Sequence, residues 1–385
     1  MVNWSIIESA EKGRSFLKHP CESPRRKRGA LCYKDSLQGT TAHVLYGTRH
    51  SLRSTLSALS SHIPDMGTKQ ETREYGFSSP TFSWSEYTKY RPAYPAALYD
   101  LIFEYHREHR GGLHSAHDVG SGAGIVAAVL SSHFEKVHVS DPSAHNLAQA
   151  RSMLGDMKTE CEFSFSQTPA EERVLPDATV DMVTIFEALH WTDAPKAMAS
   201  AAASLKPGGT LALLHYTPRV FVPNSPRAYA SWNKLMDAYS RNIYEASGEL
   251  MDGRRAYPQG DSGLDYVVLS PDVFENGAKR IYINTAGRGP RPFAKSQTAV
   301  DEGWFPVLDS QVGKDDVVEK RQDQDDWGRS VDGEWFKSYF ETIQPTPDVS
   351  RLRDEFAELR AAVDAEPGKL TQICWSVALV LATKR

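Results

Sequence analysis

Residues 117–124, which read His-Asp-Val-Gly-Ser-Gly-Ala-Gly, place an acid just before glycines at alternate positions. The acid is Asp118, and the glycines are Gly120, Gly122 and Gly124. Side-chain-free positions let the backbone turn tightly and let a ligand lie against the main chain. A second acid, Asp141, follows about seventeen residues later, where it can accept hydrogen bonds from both hydroxyls of a ribose. The pattern predicts a binding site for a nucleotide-type cofactor.

Short apolar or β-branched runs around these residues predict the strands that would position them. The runs lie at 115–119, 136–140, 163–167, 181–186 and 210–215. Helical patterns alternate with them, at 125–133, 146–154 and 195–205. This alternation predicts a doubly wound α/β sheet of parallel strands, in which ligands bind beyond the carboxyl ends of the strands. The glycine loop, Asp141, Ala170–Glu171 and Glu187–Trp191 all follow predicted strands, so we expect them to meet at one site.

An aromatic segment, residues 82–95, precedes the first predicted strand. Five rings surround Arg91 in the sequence: Phe82, Trp84, Tyr87, Tyr90 and Tyr94. The prolines at 92 and 95 keep the residues before them out of helical geometry, and a helix is predicted from about 95 to 109. The segment is interpreted either as a hydrophobic brace for that helix or as the wall of a pocket. In the second case it would supply a cation for an anionic ligand.

Beyond residue 215 the alternation of strands and helices weakens. Residues 216–347 are predicted to form an inserted cap over the sheet, with a helix at 225–243. Within this range, residues 315–334 contain eight Asp/Glu against three Lys/Arg, which predicts a mobile, solvated loop. An amphipathic helix at 348–363 and a long apolar strand at 375–383 are expected to complete the sheet domain.

The composition argues against several classes of protein. The 385 residues, 40% of them hydrophobic and 24% charged, fit one large globular domain with insertions or two modest ones. The formal net charge of −5 argues against a nucleic-acid or membrane-surface partner, and no apolar run approaches the ~18 residues of a membrane span. The four scattered cysteines predict neither a disulfide framework nor a metal site. A cytoplasmic location is therefore expected.

The first 65 residues differ from the rest in charge. They contain ten Lys/Arg and five Asp/Glu, with a basic run at 25–28, and they lack the apolar core of a secretory signal. We interpret residues 1–65 as a poorly ordered basic N-terminal extension. A nuclear-import signal and an organelle transit peptide are the alternatives, although glutamates at 8, 11 and 22 disfavour the transit peptide.

The motifs DVGSGAG, AEE, FEALHW and KPGG, in this order and spacing, resemble those of class I S-adenosylmethionine-dependent methyltransferases. YTKYRPAYP before them and SVALVLATKR at the end are similar to the trans-aconitate methyltransferase group, including its fungal cantharidin-resistance relatives. The resemblance implies a doubly wound, mostly parallel, seven-stranded Rossmann-like sheet with an inserted cap. Residues 66–215 would form the S-adenosylmethionine-binding core, 216–347 the substrate cap, and 348–385 the helix and strand that complete the core.

For the cofactor, the resemblance implies a role for each matched residue. The backbone of Gly120–Gly124 would lie against the methionine part, and Asp118 would shape this loop and hold the amino group. Asp141 would hold the ribose hydroxyls. Pro142 and Ala170–Glu171 would border the adenine.

For the methyl acceptor, the resemblance places Glu187 to Trp191 beneath the sulfonium, and Tyr87, Tyr90 and Arg91 over both ligands. The expected acceptor is a small carboxylic acid, giving a methyl ester, or another secondary metabolite. A carboxylate needs no general base, whereas a hydroxyl or amine is expected to need one, for which His190 is the candidate. His190 is equally interpreted as a residue that positions the substrate or packs locally. The protein is expected to be a monomer or a weak homodimer.

Two other functions share some of these features. A nicotinamide-dependent oxidoreductase also has an acid after a glycine loop, but its loop reads G-x-G-x-x-G. Here Ile125 occupies the position three after Gly122, and the last glycine comes one residue early. A non-catalytic, methyltransferase-like protein that binds a partner through its cap is the other alternative, and the complete set of cofactor residues disfavours it.

Overall fold

A mostly parallel sheet between two layers of helices forms the centre of the protein. The computed structural model describes residues 77, 82–109, 111–246, 251–285, 307–343 and 349–385. The extension predicted at 1–65 lies outside the described residues. Among the helices that the structure describes, none is both long and apolar enough to cross a membrane.

Ten strands are described, eight of them in the main sheet. They are β1 (Ser115–Val119), β2 (Lys136–Asp141), β3 (Glu162–Gln167), β4 (Val180–Phe186), β5 (Leu205–Tyr216), β6 (Lys279–Ile283), β7 (Val317–Arg321), β8 (Gly328–Val331), β9 (Thr371–Cys374) and β10 (Val377–Thr383). The main sheet has the order β3-β2-β1-β4-β5-β10-β6-β7, and β8 pairs with β9 separately. Neighbours in the main sheet are parallel except β10, which is antiparallel to both β5 and β6.

Ten α-helices are described along the chain. They are α1 (Trp84–Tyr90), α2 (Ala96–Glu108), α3 (Ile125–Leu130), α4 (Ala144–Gly155), α5 (Ala194–Ser204), α6 (Pro226–Ala246), α7 (Met251–Asp261), α8 (Gln324–Trp327), α9 (Gly333–Glu341) and α10 (Arg353–Asp364). Short 3₁₀ turns lie at Leu189–Trp191, Val349–Leu352 and Pro367–Lys369.

The central strands are apolar on both faces because helices and loops cover both. Every residue of β4 and of β10 is buried, as expected for strands inside a covered parallel sheet. One face packs against α2, α3, α4, α6, α9 and α10 through side chains such as Met182 and Leu379. The other packs against α5 and the segment 264–278 through side chains such as Val183 and Val380.

The predicted fold class is confirmed, and the sheet has eight strands where seven were expected. The additional strand, β7, lies at the sheet edge in parallel register with β6. It comes from the acidic segment 315–334, so the prediction of a mobile, solvated loop there is wrong. That segment also contains α8, β8 and the start of α9.

A buried ion pair helps to hold the acidic segment 315–334 against β6. The guanidinium of Arg280 on β6 is fully buried, and its Nε donates to Asp316 at 2.6 Å. Its two terminal nitrogens donate to the carbonyls of Leu264 and Val267. The acidic character of the segment therefore includes a carboxylate that neutralises a core arginine, and charge counting by itself does not distinguish such a residue from a solvated one.

Two further boundaries differ from the sequence prediction. Strand β5 begins at Leu205, with the Lys206–Gly209 motif inside it, and its pairing with β4 shifts register between Val180 and Met182. Within 216–347, β6 and β7 join the main sheet. The assignment of this range as a substrate cap stays a prediction.

Candidate active site

The order of the strands brings the predicted site residues to one edge of the sheet. Strand β2, which follows β1 along the chain, pairs with β1 on one side, and β4 pairs with β1 on its other side. The loops after β1 and β4 therefore diverge and leave a crevice, which is the usual ligand position in such sheets. A cavity of about 1010 Å³, counting space open to solvent, lies at this crevice.

The glycine loop forms the floor of this cavity. Gly120, Gly122 and Gly124 have φ values of 65°, 56° and 85°, a region that side-chain-bearing residues rarely adopt. A Cβ at Gly122 would lie 2.6 Å from the ring of Trp84, and one at Gly120 would lie 2.4 Å from the Cβ of Ala188. The loop thus requires glycine for its conformation and, at these two positions, for its close approach to neighbouring side chains.

Asp141, at the end of β2, has both carboxylate oxygens fixed by protein donors. Its Oδ2 accepts from the backbone N–H of Gly122 at 2.9 Å. Its Oδ1 accepts from the N–H of Ser143 at 2.9 Å and from Nδ2 of Asn146 at 3.1 Å. Burial raises the pKa of Asp141, and these hydrogen bonds oppose that rise. Three of the roughly four lone-pair sites of the carboxylate are then occupied, and Oδ2 retains one for a donor from a ligand.

Asp118 lies deeper, at the end of β1. Its Oδ1 accepts from Oγ1 of Thr184 on β4 at 2.8 Å, and its Oδ2 accepts from the N–H of Ala127 on α3 at 3.1 Å. Burial raises the pKa of Asp118 to about 7, against the effect of both hydrogen bonds. The carboxyl therefore changes charge near neutral pH, and a cationic ligand group beside it would favour the ionised form.

Glu187 follows β4 with a φ of 53°, a strained value for a residue with a side chain. Its Oε1 accepts from the N–H of Tyr216 at 2.5 Å and lies 2.9 Å from Nδ1 of His215. The ring centroid of His215 is 4.4 Å from that of His190. Burial lowers the pKa of His190 well below its usual value, and His215 and Arg91 lower it further. His190 is therefore neutral at pH 7.

Aromatic side chains enclose the opposite wall. Tyr87 lies 5.3 Å from Trp84, and Phe77 lies 6.0 Å from both Tyr87 and Trp191, measured between ring centroids. Tyr94 packs edge-on against Phe186 at 5.5 Å. These rings give the cavity one apolar wall facing an acidic loop, a combination suited to a ligand with a polar cationic part and an apolar neighbour.

Nine of the thirteen predicted site residues line the cavity: Asp118, Gly120, Gly122, Asp141, Pro142, Ala170, Glu171, Glu187 and Trp191. Gly124 instead caps α3 in a left-handed conformation. Tyr90 packs near Trp335, with 6.5 Å between ring centroids. His190 lies beside His215, with 4.4 Å between ring centroids. The roles of all thirteen stay predictions.

Arg91 is the fourth predicted residue that is absent from the described cavity lining. Its Nε and a terminal nitrogen donate to the hydroxyl and carbonyl of Thr342, both at 2.9 Å. Its guanidinium lies 5.0–5.9 Å from the ring centroids of Tyr87, Tyr216 and Tyr339. These cation–π contacts and hydrogen bonds link the end of α1 to α9 and Thr342, and the expected role of Arg91 as a cation for an anionic ligand stays a prediction.

Ser121 and Asn146 line the cavity but were missed by the sequence reasoning. Ser121 falls inside the glycine loop, and only the three-dimensional structure shows that it lines the cavity. Asn146 lies in the first turn of α4, which begins two residues earlier than predicted. A helix starting at Ala144 after a Ser143 cap would have indicated that Asn146 faces Asp141.

The comparison with known proteins agrees with this geometry. The methyltransferase domain family matches residues 117–213, which extend from the first acid-containing strand to β5. The chain is also 30% identical over 318 residues to methyltransferase gedG of Aspergillus terreus, spanning 82% of this chain and 95% of that protein. The protein belongs to the class I S-adenosylmethionine-dependent methyltransferases. It is a methyltransferase enzyme, so the oxidoreductase alternative is wrong.

Further relatives are fungal methyltransferases as well. Methyltransferase tpcM of Aspergillus fumigatus is 28% identical over 320 residues, which cover 82% of this chain and 95% of that protein. Methyltransferase pgmE of Aspergillus terreus is 32% identical over 320 residues, covering 78% and 93%. Family and fold together imply S-adenosylmethionine as the cofactor.

Proposed function

We propose that this protein transfers the methyl group of S-adenosylmethionine to a small carboxylic acid or another secondary metabolite held in the cavity at the β1–β4 crevice. The observation that supports this most strongly is the fixed pair of Asp141 and the glycine loop. The loop leaves room for a ligand backbone, and the carboxylate is held with one lone-pair site on Oδ2 free for a ligand.

The residues present fit the cofactor. Oγ of Ser121, which lines the cavity, is buried without a hydrogen-bond partner among the described residues, and a polar ligand group would satisfy it. Oδ2 of Asp141 would accept from a ribose hydroxyl, and Ala170–Glu171 would border the adenine. Asp118 would ionise beside the amino group and hold it through hydrogen bonds or water. Once bound, the cofactor supplies a methyl group already activated on a sulfonium.

The contribution of the protein to the reaction is then alignment. Tyr87, Trp191 and Phe77 would hold the acceptor against the methyl group and exclude water, and Glu187 would face the reacting atoms. A carboxylate acceptor is ionised at neutral pH and needs no base. A hydroxyl acceptor would need a general base, and neutral His190 would have to move towards the cavity to act as one. We therefore assign His190 a positioning role, exerted through His215 and Glu187.

Two experiments test this function. Calorimetric titration of the folded protein with S-adenosylhomocysteine is expected to show binding, and the absence of heat at concentrations where the protein stays folded would count decisively against the proposal. Incubation of extracts with methyl-labelled S-adenosylmethionine, followed by mild alkali, then separates methyl esters, which release the label, from stable ethers or amines. Among the described cavity residues there is no Lys or Arg that would mark an anionic acceptor. The second experiment therefore resolves whether the acceptor is a carboxylate, because only a carboxylate gives a methyl ester.

A further inference from the structure

Asn146 connects two parts of the cavity that are far apart in sequence. Its side chain is 4% exposed. Its Nδ2 donates to Oδ1 of Asp141 at 3.1 Å, and its Oδ1 accepts from Nε1 of Trp84 at 3.3 Å. Trp84 is 62 residues earlier in the chain, on α1. One amide therefore joins the acid expected to hold the ribose to the helix that forms the aromatic wall.

The amide at position 146 matches the chemistry of its two partners. An ionised carboxylate only accepts hydrogen bonds, and an indole N–H only donates. A bridge between them must donate at one end and accept at the other, which a carboxamide does in one orientation. Aspartate would place a second carboxylate beside Asp141, and leucine would fill the same space without either hydrogen bond.

Trp84 also touches the glycine loop directly. Its ring lies against Gly122, where a Cβ would approach the ring to 2.6 Å. The N–H of Gly122 in turn donates to Oδ2 of Asp141 at 2.9 Å. Contacts thus join Trp84 to Asn146, Asn146 to Asp141, Asp141 to Gly122, and Gly122 back to Trp84 around one side of the cavity.

The two ends of α1 are held with different strength. Its C-terminal end is tied down by the two charged hydrogen bonds from Arg91 to Thr342, each 2.9 Å long and buried. Its N-terminal end is held by the part-buried bond from Trp84 to Asn146, at 3.3 Å. A charge-assisted hydrogen bond is stronger than a neutral one, so the hydrogen bond at the Trp84 end is the weaker of the two attachments.

We propose that Asn146 is a positioning residue that couples the orientation of Asp141 in the cofactor site to closure of α1 over that site through Trp84. A ligand on Asp141 holds the carboxylate towards Asn146, which keeps its oxygen available to the indole. Closure of the Trp84 end then slows release of the ligand. The proposal rests on cofactor binding at Asp141, as proposed above.

The test is a double-mutant cycle on S-adenosylhomocysteine binding, measured by calorimetry and by stopped-flow release. Trp84→Phe keeps an aromatic ring and removes the donor, and is expected to raise the dissociation constant about threefold to tenfold, mainly through faster release. Asn146→Leu removes both hydrogen bonds and is expected to raise it about tenfold to a hundredfold. In the double variant, Trp84→Phe is expected to add almost nothing, because its partner is already absent.

Several results separate the possible outcomes. Gln149→Leu, which removes an exposed amide from the same helix, is the matched control and should bind as the unsubstituted protein does. For Asn146→Leu the Michaelis constant for S-adenosylmethionine should rise by a larger factor than kcat falls, which a general loss of structure would not produce. If Asn146→Leu does not fold, Asn146→Ala, which also removes both hydrogen bonds, replaces it in the cycle. Additive effects of the two substitutions overturn the coupling, whereas absence of binding to the unsubstituted protein overturns the proposed cofactor site itself.

Discussion

The substitution Asp141→Asn tests the cofactor site with the smallest change of shape. The side chain keeps its size, but one acceptor oxygen becomes an NH₂ group and the charge is lost. Three protein donors face this side chain: the N–H of Gly122 at one oxygen, and the N–H of Ser143 with Nδ2 of Asn146 at the other. No orientation of an amide can accept from all of them.

The structure indicates which orientation costs less. With the amide oxygen at the Oδ1 position, the bonds from Ser143 and Asn146 remain, and the new NH₂ faces the N–H of Gly122 across 2.9 Å. One buried donor is then unsatisfied, which costs about 1–3 kcal/mol of stability. The lost charge-assisted bond to a ribose hydroxyl costs about 1.5–3 kcal/mol of binding, or about tenfold to 150-fold in affinity.

Urea unfolding and calorimetric titration with S-adenosylhomocysteine measure the two effects separately. Asp156→Asn is the matched control, since it removes the same charge from an exposed position at the end of α4; it should leave affinity within about twofold. Affinity of Asp141→Asn within twofold of the unsubstituted protein would refute the ribose assignment. A loss of affinity without any loss of stability would instead refute the link between Asp141 and the glycine loop.

Three other predictions concern the core and the loop. Gly122→Ala forces a Cβ into a residue with φ 56° and against an aromatic ring, so the free energy of unfolding should fall by at least about 1 kcal/mol and cofactor affinity should fall with it; equal thermal midpoints would contradict this. Burial raises the pKa of Asp118 from 3.8 to about 7, so between about pH 4 and pH 7 the unfolded chain is ionised there while the folded one still holds its proton. Stability from this group therefore falls as pH rises through that window. Urea unfolding without cofactor measures the difference in the free energy of unfolding between the unsubstituted protein and Asp118→Asn. This difference should fall by at most about 4 kcal/mol from pH 4 to pH 7. A difference that does not change with pH would show that Asp118 ionises normally. Arg280→Met leaves the 9%-exposed side chain of Asp316 without its cation and should cost about 3–5 kcal/mol, part of which Arg280→Met/Asp316→Leu should recover; a single variant as stable as the unsubstituted protein would show that the pair is unimportant.

Local patterns of apolar and turn-forming residues predicted much of the fold. The five strands predicted between residues 115 and 215 are all present, because each is a short run of apolar or β-branched residues between turn-forming residues. The same patterns did not predict the strand at 317–321. Its residues are mostly exposed or half-buried and include Glu319 and Lys320, since an edge strand needs hydrogen bonds from only one neighbour and little apolar surface.

The candidate site also contains residues whose position the sequence predicted and residues whose position depends on tertiary contacts. Asp118, Asp141 and the glycines between them are close in sequence or follow adjacent strands, so spacing and type predicted that they meet. Arg91 was expected above the ligands from the family resemblance, and the hydrogen bonds of its side chain are to Thr342, 251 residues away. Side-chain direction at such a residue is decided by tertiary partners, which no local pattern encodes.

The sequence by itself therefore determined the class of sheet, the glycine loop and the acids that follow β1 and β2, because these depend on backbone conformation and short spacings. Only the tertiary structure decided which side chains face the cavity. The hydrogen-bond partners of Asn146 lie on α1 and at the end of β2, and Glu187 meets His215 from another strand. Such contacts form between segments distant in sequence, where packing of the whole domain selects the partner.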